Sequence, residues 1–214
     1  RSLDDKDIKP YVFETKTEYL LVELSEDLKE VKKYLDDCLK ERLDKLKNFG
    51  LVKNIKYVSK TSLLGMQREL QQRIARGDRD ILLWSSISLV AECLKAHHAL
   101  EMLETQGVSS LSEYMNKIYT ESKNTKVKST KNLVIDTNFK SAYAKTNILI
   151  EKGIEHPKLL KLKEIIAEEV KSCEKILVFN HYRDSASKLK KELNKIEGVK
   201  SELFVGQAKK KDTG

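Results

Sequence analysis

Proline and glycine are scarce in this chain, at 2 and 8 of its 214 residues. So few turn-formers argue against a turn-rich β sandwich or barrel and for long helices. Cysteine occurs three times, at Cys38, Cys93 and Cys173, far apart and odd in number. That pattern argues against a disulfide scaffold and suits a reducing, cytoplasmic setting. Cys93 and His97 stand four apart, as metal ligands on a helix can, but no second half-site supplies the three or four convergent ligands a metal needs. No metal is expected. Long apolar runs are missing too. The nearest to one, Ile81 to Leu103, is broken by Glu92, Lys95, His97 and His98, so it reads as a buried helix and gives no membrane contact. The first residues carry no apolar stretch of the kind a signal peptide has.

What the chain does have is charge on an ordinary apolar base. Hydrophobic residues make up 40% and charged ones 35%, enough to bury a core of one domain or two modest ones. Net charge is +8 with an isoelectric point near 9.2. An excess of that sign suits a polyanionic partner; a basic surface that is merely solvated is the alternative.

Periodicity lays out a helical body. "TKTEYLLVEL" (15–24) carries β-favouring residues and predicts a short strand. Ser25 then caps a helix whose Leu28, Val31, Leu35, Leu39, Leu43 and Leu46 step by three or four, ending at Gly50. "VSKTS" (58–62) offers caps for a second helix with Leu63, Met66, Leu70 and Ile74 on one side. A third, from about Asp80 to Gln106, is apolar around most of its first half. It is the expected central helix, stopped by Gly107, with Trp84 in the core. Ser110 and Glu113 have capping-box spacing for a short fourth helix. The lysine-rich stretch 121–132 reads as an exposed loop, a helix follows over 137–151, and Pro157 opens another with Leu159, Leu162, Ile166 and Val170 along one face.

After Cys173 the pattern changes. "KILVF" (175–179) and "SELFV" (201–205) read as strands, joined by a helix capped by Asp184 or Ser185 with Ala186, Leu189 and Leu193 inward. Strand, helix, strand in about thirty residues is a βαβ unit with parallel strands. One such unit cannot make a sheet covered on both faces, so the sheet would be partial. The expected fold class is therefore α+β, mainly α. Ligands of open α/β sheets bind at the carboxyl ends of strands, beside helix N-termini that favour phosphate. Asn180, Tyr182 and Arg183 stand at one such lip and Gly206 and Gln207 at the next. An arginine, an aromatic ring and backbone donors together can follow a nucleic-acid backbone, whereas an ordinary strand-to-helix turn with a solvated arginine is the plainer reading.

"VFNHYRDSASKL" followed by "FVGQA" (204–208) resembles the opening of the second RecA-like domain of superfamily-2 helicases, closest to the archaeal Hef and eukaryotic FANCM branch. "HHALEMLETQG" (97–107) and "GIEHPKLLKLKEII" (153–166) also resemble Hef segments that precede this motif. The resemblance covers about residues 8–208. It implies a thumb-like helical bundle inserted into a RecA-like domain and thought to grip branched DNA. The implied layout is a linker and sheet-joining strand at 1–24, the helical insertion at 25–152, and the first part of the second RecA-like domain at 153–214. By the same resemblance Tyr182, Arg183 and the Gly206–Gln207 turn fall where the family contacts a nucleic-acid strand.

The chemistry of such a helicase is missing from these residues. No GxxxxGK[ST] phosphate loop occurs, nor a DEAH-like acid motif, nor the Gln/Arg-rich motif that supplies the family's arginine finger. No catalytic residue is expected, and no cofactor; ATP and Mg belong to the parent enzyme, whose first RecA-like domain is the implied protein partner. From Leu51 to Arg79 stand Lys53, Lys56, Lys60, Arg68, Arg73, Arg76 and Arg79 against Glu69 and Asp78. On a helical projection Arg68, Arg76 and Arg79 gather opposite the apolar side and form an outward stripe. Lys123, Lys126, Lys128 and Lys131 form a second basic region, a tether able to wrap phosphate or simply a solvated loop. The expected activity of this piece is structure-selective binding of forked or branched DNA through its backbone. A double-stranded-RNA helicase insertion and a helical protein-interaction module are the alternatives.

Overall fold

The structure is a computed structural model that describes residues 16–172, 175–180 and 183–204. Six helices build its main body: α1 (Glu26–Asn48), α2 (Lys60–Ala75), α3 (Ile81–Gln106), α4 (Val108–Asn124), α5 (Lys128–Ile135) and α6 (Thr137–Glu151). A single 3-10 turn, Ile55–Tyr57, precedes α2, and α7 (Pro157–Glu169) and α8 (Arg183–Leu193) follow the body.

Local chemistry starts most of these helices where the chain offers an acceptor. Ser59 Oγ accepts from the Ser62 N–H, Asp80 from the Leu82 N–H and Asp136 from the Phe139 N–H, each satisfying a donor that the first turn leaves orphaned. Pro157 stands in the first turn of α7, where its missing N–H costs nothing. Ser25 precedes α1 with extended backbone but makes no side-chain cap bond; Glu26 and Asp27 in the first turn offset the helix dipole instead. The fourth helix starts three residues before the Ser110–Glu113 spacing predicts, directly from Gly107, so that pair is not its cap.

Around α3 the others assemble: α1, α2, α4 and α5 all pack against it, and α6 closes the far side against α1 and α4. One core cluster centres on Leu28, Val31, Leu35, Leu103, Leu111, Met115, Phe139 and Leu149. A second joins Leu43 and Leu46 of α1 to Leu63 and Leu70 of α2 and Leu83, Leu89 and Val90 of α3. Each buried leucine contributes about 1.5–3 kcal/mol relative to an exposed one, so this central helix anchors the body. Its first turn departs from the expectation. Ile81, Leu82 and Trp84 project into solvent, because no described element covers that end of the helix.

Two further expectations are corrected. Stretch 121–132 is not a loop: α4 runs to Asn124 and α5 begins at Lys128. Ser129 and Thr130, read as solvated, are buried because their hydroxyls receive the Lys95 ammonium, and Leu133 enters the core beside them. The partial parallel sheet is also absent. Among the described residues there is no strand, and the fold is a helical bundle rather than α+β. Residues 175–180 and 201–204 carry no regular secondary structure and flank a groove of about 560 Å³ over α8, lined also by Ala186, Leu189 and Leu193. They do not pair across it, and Leu177 and Phe204 are 84% and 101% exposed. Residues 16–24 likewise carry no regular secondary structure and join no sheet among the described residues; Tyr19 and Leu21 are exposed, and Leu24 packs on the core. Strand propensity expresses packing against neighbours and sheet faces, and these segments have neither among the described residues. No described helix is long and apolar enough to cross a membrane.

Candidate nucleic-acid interface

The basic residues of 51–79 fall into two groups. Lys53, Lys56, Arg68, Arg76 and Arg79 are exposed and have no ion pair among the described residues. Two others are engaged: Lys60 with Glu101 of α3, and Arg73 with Asp78 through Nη2 at 2.7 Å and Nε at 3.1 Å. The arginine stripe needs a geometric correction. α2 ends at Ala75, Arg76 is its C-cap and Arg79 lies beyond the Gly77 turn, so helical spacing relates only Arg68 and Arg73. The arginines instead lead from the outer face of α2 into the entrance of α3.

Lys123, Lys126, Lys128 and Lys131 are all exposed. Lys123 stands in the last turn of α4 and offsets its dipole, whereas Lys128 and Lys131 ride on α5. They form a surface on two helices with a three-residue joint, not a free tether. Asn180 and Arg183 are exposed at the start of α8, each with a polar partner, and Asn180 also lines a cleft of about 610 Å³ between α8, α7 and the start of α4. Tyr182, Gly206 and Gln207 lie outside the described residues, so the two lips cannot be placed together.

A buried polar network ties together the helices of the body beneath the α5 part of this surface. The Arg42 guanidinium of α1 donates from Nε to Glu92 Oε2 at 3.1 Å and from Nη1 to Asp136 Oδ2 at 3.0 Å and to the Cys38 carbonyl at 2.9 Å. Glu92 also accepts from Asn132 Nδ2 at 2.7 Å. One guanidinium thus ties α1, α3 and the cap of α6, and its carboxylate partner reaches α5. Burial pushes the Glu92 carboxyl above the usual carboxylate range, with Asn132 and Arg42 opposing it. Burial likewise raises both described thiols, Cys38 and Cys93, the latter to about 12, so neither is a nucleophile near neutral pH. Among the described residues no group of three or more His, Cys, Asp or Glu is placed to hold a metal.

Residues 27–151 match the family model described as "Putative ATP-dependent RNA helicase, helical bundle". The chain belongs to this helicase family. It is 34% identical over its full length to a Methanocaldococcus jannaschii protein named "Putative ATP-dependent RNA helicase", of which it covers 26%. It is 25% identical, over 97% of its length, to the Arabidopsis thaliana "DEAD-box ATP-dependent RNA helicase FANCM", covering 16% of that protein. The crystal structure of the Pyrococcus furiosus Hef helicase domain superposes on 99% of the chain with a TM-score of 0.82 and 38% identity, and the chain covers 44% of it. The Hef/FANCM resemblance of the motif segments is thereby shown, and the chain spans only a part of each of these longer helicases.

Two features of the helicase bundle escaped the sequence. The sequence does not single out Arg42, and its partner Glu92 is fifty positions away, beyond any local spacing. Trp84 and Phe49 are apolar, and only the packed structure shows that no described element fully covers them.

Proposed function

We propose that this chain is the nucleic-acid grip of a Hef-type helicase, binding forked or branched DNA through its sugar-phosphate backbone. The observation that carries the reading is the run of exposed cations without an ion pair among the described residues, Lys53, Lys56, Arg68, Arg76 and Arg79, on a bundle tied together by the Arg42 network. Lys123, Lys126, Lys128 and Lys131 extend the surface along α4 and α5. An arginine fork suits phosphate geometry, and cations without carboxylate partners are free to displace counterions. Asn180, Tyr182, Arg183, Gly206 and Gln207 would add contacts from the second RecA-like domain, of which 153–214 is the first part. The parent enzyme would supply ATP, Mg and the first RecA-like domain, and couple the grip to strand separation or branch migration in a reducing, cytoplasmic setting.

A second reading has its own support: the family description and two relatives carry the words RNA helicase. Double-stranded RNA offers the same phosphate charge. Anisotropy titrations of the purified chain against a fork, a linear DNA duplex and an RNA duplex of equal length separate the readings. The fork should bind most tightly. Preference for RNA moves the chain to the second reading, and binding to none of the three leaves only a protein-interaction module.

A further inference from the structure

The C-terminal end of α1, the first turns of α3 and the start of α5 enclose a groove of about 330 Å³ that includes Lys45, Phe49, Ile81, Trp84, Lys128 and Asn132 in its lining. Three of its four apolar members are open, Ile81 at 81% exposed, Trp84 at 55% and Phe49 at 42%, over a buried Leu89. Exposed aromatic surface beside cations is a binding surface more often than a packing fault. The rim is positive, since Lys45 and Lys128 are exposed without ion pairs among the described residues and Arg79 immediately precedes the cap of α3. The one carboxylate in the lining, Glu92, is already occupied by Arg42 and Asn132. Ser88 Oγ, also in the lining, is buried with no hydrogen-bond partner among the described residues.

We infer that this groove seats one unpaired nucleobase, stacked on the Trp84 indole, with the flanking phosphates between Lys45 and Lys128. The inference rests on the nucleic-acid reading above and names what the bundle does with the single strand that leaves a fork. An open ring, two cations and a neutralised acid complement a planar base on an anionic backbone. Stacking of this kind tolerates any sequence, because every base has a π face.

Trp84 is the only tryptophan in the chain, so its emission reports on the groove without a label. The intact chain is titrated with oligothymidylate, with a fork bearing single-stranded arms and with a blunt duplex, following emission and DNA anisotropy together. Oligothymidylate and the fork should quench Trp84 with the same midpoint as the anisotropy change, and the blunt duplex should bind without quenching. Trp84→Ala should weaken the fork about tenfold while leaving the salt slope and blunt-duplex affinity unchanged. Trp84→Phe, which keeps a ring and guards against a folding artefact, should retain most of the affinity. Fork binding without quenching, or an equal loss on fork and blunt duplex, overturns the groove but leaves the backbone grip standing. The first of those is also the result if a protein partner owns the groove. Absence of any anisotropy change removes both readings.

Discussion

Arg42 shows how much one side chain can hold. It is buried, and its guanidinium is shared between Glu92, Asp136 and the Cys38 carbonyl on three helices. Removing one partner of a buried ion pair strands the other charge at a cost of about 3–5 kcal/mol. Arg42→Ala should therefore lower the unfolding free energy by that amount in urea titrations. Adding Glu92→Gln to it should recover part of the loss, because the stranded charge disappears. An unchanged midpoint for Arg42→Ala would mean the network stabilises nothing. The pair was not legible in the sequence: Glu92 read only as a break in an apolar run, and no local spacing links it to Arg42, fifty positions away. Trp84 failed for the opposite reason. Apolarity predicts burial only where another element arrives to cover the residue, and coverage is a property of the whole packing.

Helix ends carry the second set of consequences. Gly107 ends α3 at φ +86°, and a Cβ there would lie 2.9 Å from His156 Cβ. His156 in turn caps α7, its Nδ1 accepting the Lys158 N–H at 3.1 Å. The junction of α3, α4 and α7 thus closes on two residues with no room to spare. Gly107→Ala should cost at least about 1–3 kcal/mol from backbone strain alone, measured by thermal or urea unfolding. His156 gives the junction a pH dependence. Burial, and then the Lys158 ammonium, hold its pKa below the ordinary 6.5. The unfolded chain therefore binds the proton first. Stability is complete above about pH 6.5 and is lost as pH falls through that value towards the depressed folded pKa. Between about pH 7.5 and about pH 5.5 the chain should lose more stability than His156→Asn, which keeps a capping acceptor but cannot titrate. Equal losses would show that His156 is not protonation-sensitive. At this scale the sequence was largely readable, since Ser59, Asp80, Gly107 and Pro157 act where their chemistry predicts. The stretch 121–132 was not, because Ser129 and Thr130 become buried only by meeting Lys95 of another helix. The strands at 15–24, 175–179 and 201–205 failed likewise, since a ladder needs partners that propensity cannot supply.

At the scale of the whole chain, the molecule is a basic helical bundle of a helicase family. Its 214 residues include no phosphate loop, so the isolated chain should release no phosphate from ATP, with or without DNA, in a coupled assay. Its net charge of +8 is not spread evenly. Acids engage Lys32, Lys60, Arg73, Lys145 and Lys163, while Arg68, Arg76 and Arg79 are left exposed and unpaired among the described residues. On the proposed function those arginines meet phosphate. The slope of log K against log salt for fork binding, in the wild type and in the triple Arg68→Ala, Arg76→Ala, Arg79→Ala variant, decides whether they do. Each lost phosphate contact flattens the slope by about 0.9, so the variant should lose two to three units of slope, with unfolding free energy within about 0.5 kcal/mol of wild type. A variant that binds the fork with wild-type affinity and an unaltered slope would contradict the account.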